Sequence, residues 1–358
     1  MKTKLVYVLT CAPEATYIEQ ALMAVWSARY WNPDAHIVLM VDDKTDAILT
    51  GKRAEILNYI SEKIVVPFED ETLTPMYRSR WIKTQVRQMI QGDFLFIDCD
   101  TICCQSLESI DVLQNEIGAV YDSHVTLSED ISFDITRDMV LKIGLDLNEE
   151  KYYYSSGVIY AKDTLKVHQL YNRWHALWRY GVEEQNVSMD QPSFARANVE
   201  MGHLITSIPD VYNCVLYTQN SFIPNAKILH ISSYQNPSFL FSKELMNFVK
   251  DRGLNSRMKY WLIHPMQTWM PFDFYILHSS LIERIKWIFQ IEKAVDYLNS
   301  ELSLIPENWC RINSRFENII KYLFSHHMYR VGAFAWMVLK RIHVLKNRRF
   351  IKENICRK

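Results

Sequence analysis

The chain has 358 residues, 49% of them hydrophobic and 23% charged, with a formal net charge of −1. That is the profile of a globular protein with a full-sized core, and 9 Gly and 11 Pro exclude fibrous or low-complexity character. The 7 Cys are an odd number with no C-x-x-C pair, which argues against a disulfide framework or zinc site and for a reducing, cytoplasmic setting.

Lys2 and Lys4 precede the apolar run Leu5–Leu9, which with Thr10 makes the strand candidate Leu5–Thr10. The run is shorter than the core of a secretion signal, so it reads as a first strand. Further strands are expected at His36–Val41, Lys63–Phe68, Phe94–Asp98, Ile117–Tyr121, Gly157–Ala161 and Ile228–Ile231. Between the first two, Ile18, Ala21, Leu22 and Val25 recur at helical spacing. Ile82, Val86, Met89 and Ile90 do the same before the fourth strand, as do Val167, Leu170, Tyr171, Trp174 and Leu177 further on. Strands alternating with helices predict an α/β domain with a mostly parallel sheet over residues 1–240. Ser123–Glu150 reads as an excursion over the site. After about 240 the pattern turns helical and aromatic, which predicts a helical C-terminal region over 241–358. No stretch reaches the roughly 20 apolar residues needed to cross a bilayer.

Ligands of such sheets bind at the carboxyl ends of the strands. The segment Phe94-Leu-Phe-Ile-Asp-Cys-Asp100 ends a strand with two acids spaced i, i+2. Carboxylates brought together repel and favour a cation between them, and hard oxygen ligands suit Mg²⁺ or Mn²⁺. The pair also admits other readings: an ordinary polar strand end, or a haloacid-dehalogenase-like phosphatase in which Asp98 is the nucleophile and Asp100 the acid/base. That phosphatase motif belongs on a first strand, and here three strands precede it.

The surrounding motifs discriminate. Tyr77-Arg-Ser-Arg-Trp-Ile-Lys83 leads into the carboxylate strand; Gly118-Ala-Val-Tyr-Asp122, Tyr154-Ser-Ser-Gly157, Met189-Asp-Gln191 and Ile228-Leu-His230 follow. In order and spacing the chain resembles the family 8 glycosyltransferases of GT-A fold, which include lipopolysaccharide α-galactosyltransferases and glycogenin. The resemblance implies that Asp98, Asp100 and His230 hold Mn²⁺ or Mg²⁺. It implies donor contacts from Thr10, Tyr17, Arg78, Arg80, Lys83, Ser155, Ser156 and Gly157. Asp122 falls where the family places an acid near the sugar and acceptor. Asp190 and Gln191 fall beneath the reacting carbon of the donor sugar, in a front-side reaction that retains configuration. Asp42 or Asp43, ending the second strand, is a further candidate for the ribose, or an ordinary turn acid.

The implied activity is transfer of a hexose from a nucleotide-diphosphate sugar, with UDP as the expected carrier, to a saccharide or glycolipid acceptor in surface-glycan synthesis. A degenerate, non-catalytic sugar-nucleotide-binding module is the alternative within the same fold. Two departures stand out. The family's Asn-(Ser/Ala)-Gly is Ser155-Ser156-Gly157, and the Gly and Lys that follow the metal His are absent from His230-Ile-Ser-Ser-Tyr-Gln-Asn-Pro237. Ser232, Ser233 and Gln235 supply hydrogen bonds there but no charge, leaving Arg78, Arg80 or Lys83 to neutralise phosphate.

From Lys321 to Lys358, ten basic residues stand against one acid, Glu353. Phe334, Trp336, Met337 and Leu339 precede the cluster Lys340–Arg349. A basic, aromatic-containing helix fits an anionic membrane surface, with packing on the acidic core as the alternative. No nucleic-acid module accompanies the charge, so nucleic acid is not an expected partner. The localisation expected is cytoplasmic, peripheral on the inner face of the membrane.

Overall fold

The computed structural model describes residues 1–130, 133–148, 150–215, 222, 225–231, 240–241, 243–265, 328 and 331. The elements that build the site are β1 (Lys4–Leu9), α1 (Tyr17–Trp31), β2 (Ile37–Asp42), α2 (Asp43–Ile48), β3 (Glu62–Val66), α3 (Pro75–Met89), β4 (Phe94–Ile97) and β5 (Thr101–Cys103). They continue with β6 (Ile117–Tyr121), α4 (Phe133–Lys142), β7 (Tyr154–Ala161), α5 (Leu165–Glu184), α6 (Asp190–Glu200), β8 (Ile205–Ser207), β9 (Cys214–Val215), β10 (Ile228–His230), α7 (Lys243–Arg252) and α8 (Ser256–Ile263).

A seven-stranded sheet runs in the order β3-β2-β1-β4-β7-β6-β8. The first four strands are mutually parallel, and β7 is antiparallel to both neighbours, β4 and β6. The sheet is therefore mostly parallel and covered on both faces, which is why β2 is buried at every position and reads as a continuous apolar run. Alternation along β1 divides the core. Leu5, Tyr7 and Leu9 join the layer containing Ile18, Leu22 and Val25 of α1, whereas Val6 and Val8 join Ile82 and Val86 of α3 and Leu170 and Trp174 of α5.

A second, three-stranded sheet has the order β5-β10-β9. Of its strands only β10 is expected from sequence, and β5 and β9, of three and two residues, carry too little periodicity to be read there. The sheet positions His230, since β10 is antiparallel to β5 with His230 opposite Thr101. The seven sequence-predicted strands are all present, shifted by a few residues at their ends. The stretch 123–150, expected as an excursion, contains α4 and short 3₁₀ turns.

Met246 and Val249 of α7 and Met258 and Trp261 of α8 belong to the same apolar cluster as Leu5 and α1. The described part of the C-terminal region is thus packed into the α/β core. The basic tail, and Ser232, Ser233 and Gln235, lie outside the described residues. Among the described residues no helix is long and apolar enough to cross a membrane, and the five described cysteines are free.

Candidate metal and donor site

The chain leaves the main sheet at the end of β4 and enters the second sheet at β5, and Asp98-Cys99-Asp100 is the joint. The Asp98 amide donates to Gly157 O at 2.9 Å and the Thr101 hydroxyl to Asp98 O at 2.8 Å, so both ends of the turn are pinned. Cys99 points the other way, its Sγ 3.3 Å from Val8 O. The acids therefore share one face, as their spacing requires. Ile231 N donates to Asp100 O at 2.8 Å, which closes β10 onto the same turn.

Asp98, Asp100 and His230 each offer one ligand atom, and these atoms lie within 4.8 Å of one another. His230 Nε2 is 3.1 Å from Asp100 Oδ1. Two hard carboxylate oxygens with one imidazole fit Mn²⁺ well and Mg²⁺ acceptably. The floor beneath the cluster is Gly157: a Cβ there would come within 2.4 Å of His230 Cε1 and 3.2 Å of Asp98 Oδ2. Glycine is needed at this point for close approach, since its backbone is not left-handed.

The electrostatics show what holds three acids together. Burial pushes Asp98 up to about 6, against the pull of Lys83 and with the help of Asp100. Burial also works against the Asp100 carboxylate, but His230 holds it below the usual range. The same partnership overcomes the desolvation of the imidazolium and raises His230. Lys83, on α3, is buried and reaches Asp98 Oδ1 at 3.3 Å, Asp190 Oδ2 at 3.0 Å and Ser156 Oγ at 3.4 Å. Arg80, one turn earlier on the same helix face, lies 3.5 Å from Asp190 Oδ1. Despite its burial, Asp190 is held at about 2 by Lys83 and Arg80, and the Ser156 hydroxyl donates to it at 2.9 Å.

Asp190 opens α6, and its carbonyl takes the Trp174 indole N–H at 2.8 Å. Gln191 is fixed at both ends of its amide: Ser156 N donates to Oε1 at 3.3 Å, and Nε2 donates to Asp122 Oδ2 at 2.9 Å. Burial, with Asp130 nearby, pushes Asp122 up to about 6. Immediately after it, Ser123 and His124 both have φ of 55°, a left-handed conformation that is uncommon for non-glycine residues. His124 is held by Asp210 Oδ1 at 2.8 Å and by Val215 N at 3.3 Å.

Asp98, Asp100, His230, Lys83, Arg80, Ser156, Gly157, Asp190, Gln191 and Asp122 therefore form one connected constellation. Other candidates face elsewhere. Arg78 is buried against Asp42 and the Leu73 carbonyl. Asp42 itself caps α2 by accepting from Thr45 N at 3.0 Å, the structural role of a turn acid. Thr10 Oγ1 donates to Pro75 O at 2.6 Å, tying the end of β1 to the start of α3. Tyr17, at the start of α1, is 52% exposed. Ser155 Oγ accepts from Asn213 Nδ2 at 3.0 Å and from Gly157 N at 3.3 Å.

Sequence reading missed two buried partners. Asn213 lies 2.9 Å from His230 Nδ1. Tyr153 has its hydroxyl pKa raised well above the ordinary value by burial and by Asp122 and Asp190. Tyr153 had a visible signal in its place between Asp122 and Ser155; Asn213, before a two-residue strand, had none.

No protein-family model matches the chain, and no curated protein matches it. Three similar solved structures are named as glycosyltransferases. Mouse xyloside xylosyltransferase 1 in its apo form is 16% identical with a TM-score of 0.42, over 65% of this chain and 98% of that one. The galactosyltransferase LgtC in complex with donor and acceptor sugar analogs is 13% identical with a TM-score of 0.44, over 79% of this chain and 100% of that one. The glycosyltransferase GlyE of Streptococcus pneumoniae TIGR4 is 17% identical with a TM-score of 0.44, over 73% of this chain and 63% of that one.

Proposed function

We propose that this chain is a GT-A-type, metal-dependent glycosyltransferase that moves a hexose from a nucleotide-diphosphate sugar, UDP-linked, to a saccharide or glycolipid acceptor. One observation carries the reading: three ligand atoms converge beside a buried Lys83–Asp190 pair that continues into Gln191 and Asp122. A polar strand end has no use for that arrangement. Asp98, Asp100 and His230 would hold Mn²⁺ or Mg²⁺, which neutralises charge on a departing diphosphate as a Lewis acid.

The chain's own groups divide the remaining work. Lys83 is sequestered between carboxylates, and Arg78 is committed to Asp42. Of the three basic candidates on α3, Arg80, with a side chain 27% exposed, is the one left to meet phosphate oxygens. Asp190 stays anionic across the physiological range and suits donor-sugar hydroxyls. The clamped Gln191 amide presents a fixed dipole without being a strong nucleophile, consistent with electrostatic support of a positively charged sugar in a retaining reaction. Tyr17 offers an aromatic face to the base. The acceptor belongs to surface-glycan synthesis, with the basic tail on an anionic membrane.

The test is a transfer and hydrolysis screen of sugar nucleotides with Mn²⁺, Mg²⁺ or EDTA. Turnover that requires the metal and is lost in Asp98→Asn, His230→Ala and Asp190→Asn supports the proposal. Phosphatase activity that is lost in Asp98→Asn but survives His230→Ala and Asp190→Asn would replace it with the haloacid-dehalogenase reading. Metal-strengthened UDP binding without turnover on any donor would leave a binding module.

A further inference from the structure

An imidazole has two nitrogens, and a neutral ring carries a proton on one of them; the protonated nitrogen cannot be a metal ligand. In His230, Nε2 faces Asp100 and the cation cluster, and Nδ1 faces Asn213 Oδ1 at 2.9 Å. With the amide oxygen against it, Nδ1 must be the donor, and Nε2 keeps its lone pair for a metal. With the amide reversed, the NH₂ group would donate to Nδ1, the ring proton would sit on Nε2, and the ligand would be lost. The orientation of one amide therefore decides whether His230 can bind a cation.

The other end of that amide is held as well. Asn213 Nδ2 donates to Ser155 Oγ at 3.0 Å, and Gly157 N–H donates to the same oxygen at 3.3 Å. Asn213 is fully buried and Ser155 is 4% exposed, so solvent offers no competing partner. In this arrangement the Ser155 oxygen accepts both N–H groups, and the Asn213 amide oxygen is the atom turned to the ring. Asn213 is itself fixed by the strand pairing of its neighbour, Cys214 with Leu229, one residue from His230.

We propose that Asn213 and Ser155 are positioning residues that set His230 as the Nδ1–H tautomer and so complete the metal site. Ser155, where the family resemblance implies a donor contact, then serves the metal ligand. The inference rests on the metal reading above. Partners of this kind change metal affinity by about 10–100-fold.

The test is Mn²⁺ titration of the full chain followed by electron paramagnetic resonance, with thermal unfolding recorded alongside, for the wild type, Asn213→Leu, Asn213→Asp and Ser155→Ala. Asn213→Leu should bind Mn²⁺ about 10–100-fold more weakly and Ser155→Ala about tenfold more weakly. Asn213→Asp keeps an acceptor against Nδ1 and should restore near-wild-type affinity, although it loses the Ser155 bond and is no more stable than the Leu variant. Wild-type affinity in Asn213→Leu, or equal losses in Leu and Asp, would overturn the proposal. Should Asn213→Leu fail to fold, unchanged affinity in Ser155→Ala overturns it alone. A wild type that takes up no Mn²⁺, with or without UDP, sinks the metal reading itself, an outcome separate from any difference among variants.

Discussion

Lys83→Met separates electrostatic from packing roles at the site. The Lys83 ammonium is buried, yet Asp190 and Asp98 raise its pKa against that burial. Its stem passes over Phe96, 5.0 Å from the ring centroid, and methionine preserves most of that contact. The charge is what the variant removes. Asp190 is held at about 2 against an ordinary 3.8, which corresponds to about 2 kcal/mol of stability at neutral pH. Lys83 and Arg80 share that contribution, but breaking one side of a buried pair also strands a carboxylate, at about 3–5 kcal/mol. The expected loss at pH 7 is therefore about 3 kcal/mol. The sign follows from the depressed pKa: the contribution is complete above about pH 4 and vanishes as pH falls through about 2, so the gap to the wild type narrows over that window. Urea unfolding measures it. Because the variant has one positive charge fewer beside Asp98, Mn²⁺ should stabilise it more than it stabilises the wild type. A variant within about 0.5 kcal/mol of the wild type at pH 7, the range of an ordinary surface change, would refute the bridging role of Lys83.

Other substitutions probe separate parts of the site. Gly157→Ala drives a methyl into His230 and Asp98 and should cost about 1–3 kcal/mol in urea unfolding as an overpacked position, with weaker Mn²⁺ uptake. Asp122, raised to about 6, is a carboxyl whose ionisation opposes folding; the penalty enters as pH rises from about 4 to 6. Asp122→Asn should thus raise the melting temperature at pH 7 but not at pH 4, while transfer activity falls. Asp42→Ala removes a helix cap and leaves Arg78 buried without its partner, so unfolding should show a loss of about 3–5 kcal/mol. Tyr17→Ala should leave stability within about 0.5 kcal/mol, and calorimetry should show UDP binding weakened about tenfold, the scale of one lost base stack.

The large features of the fold are legible in the sequence because they rest on strong periodicity. Ile18, Ala21, Leu22 and Val25 mark α1, and the apolar run of β2 announces a strand buried on both faces. Asp98 and Asp100 are legible as a pair because their spacing places them on one side of the chain. What joins them to His230 is not: the apolar run of β10 is visible, but β5 and β9 are too short to declare themselves and the pairing of the three strands is set by tertiary packing. The roles of the α3 cations were likewise hidden. Arg78, Arg80 and Lys83 look interchangeable in sequence, but helix rotation sends Arg78 to Asp42 and the other two to Asp190. Asn213 carries no local signal; its role exists only through the register of β9 on β10.

Diffraction at the manganese edge from crystals grown with UDP and Mn²⁺ decides whether Asp98, Asp100 and His230 hold the metal. One anomalous peak bonded to Asp98, Asp100 and His230 Nε2 and shared with the diphosphate oxygens is expected. UDP bound with no peak at this cluster, or a peak held by other residues, would contradict it.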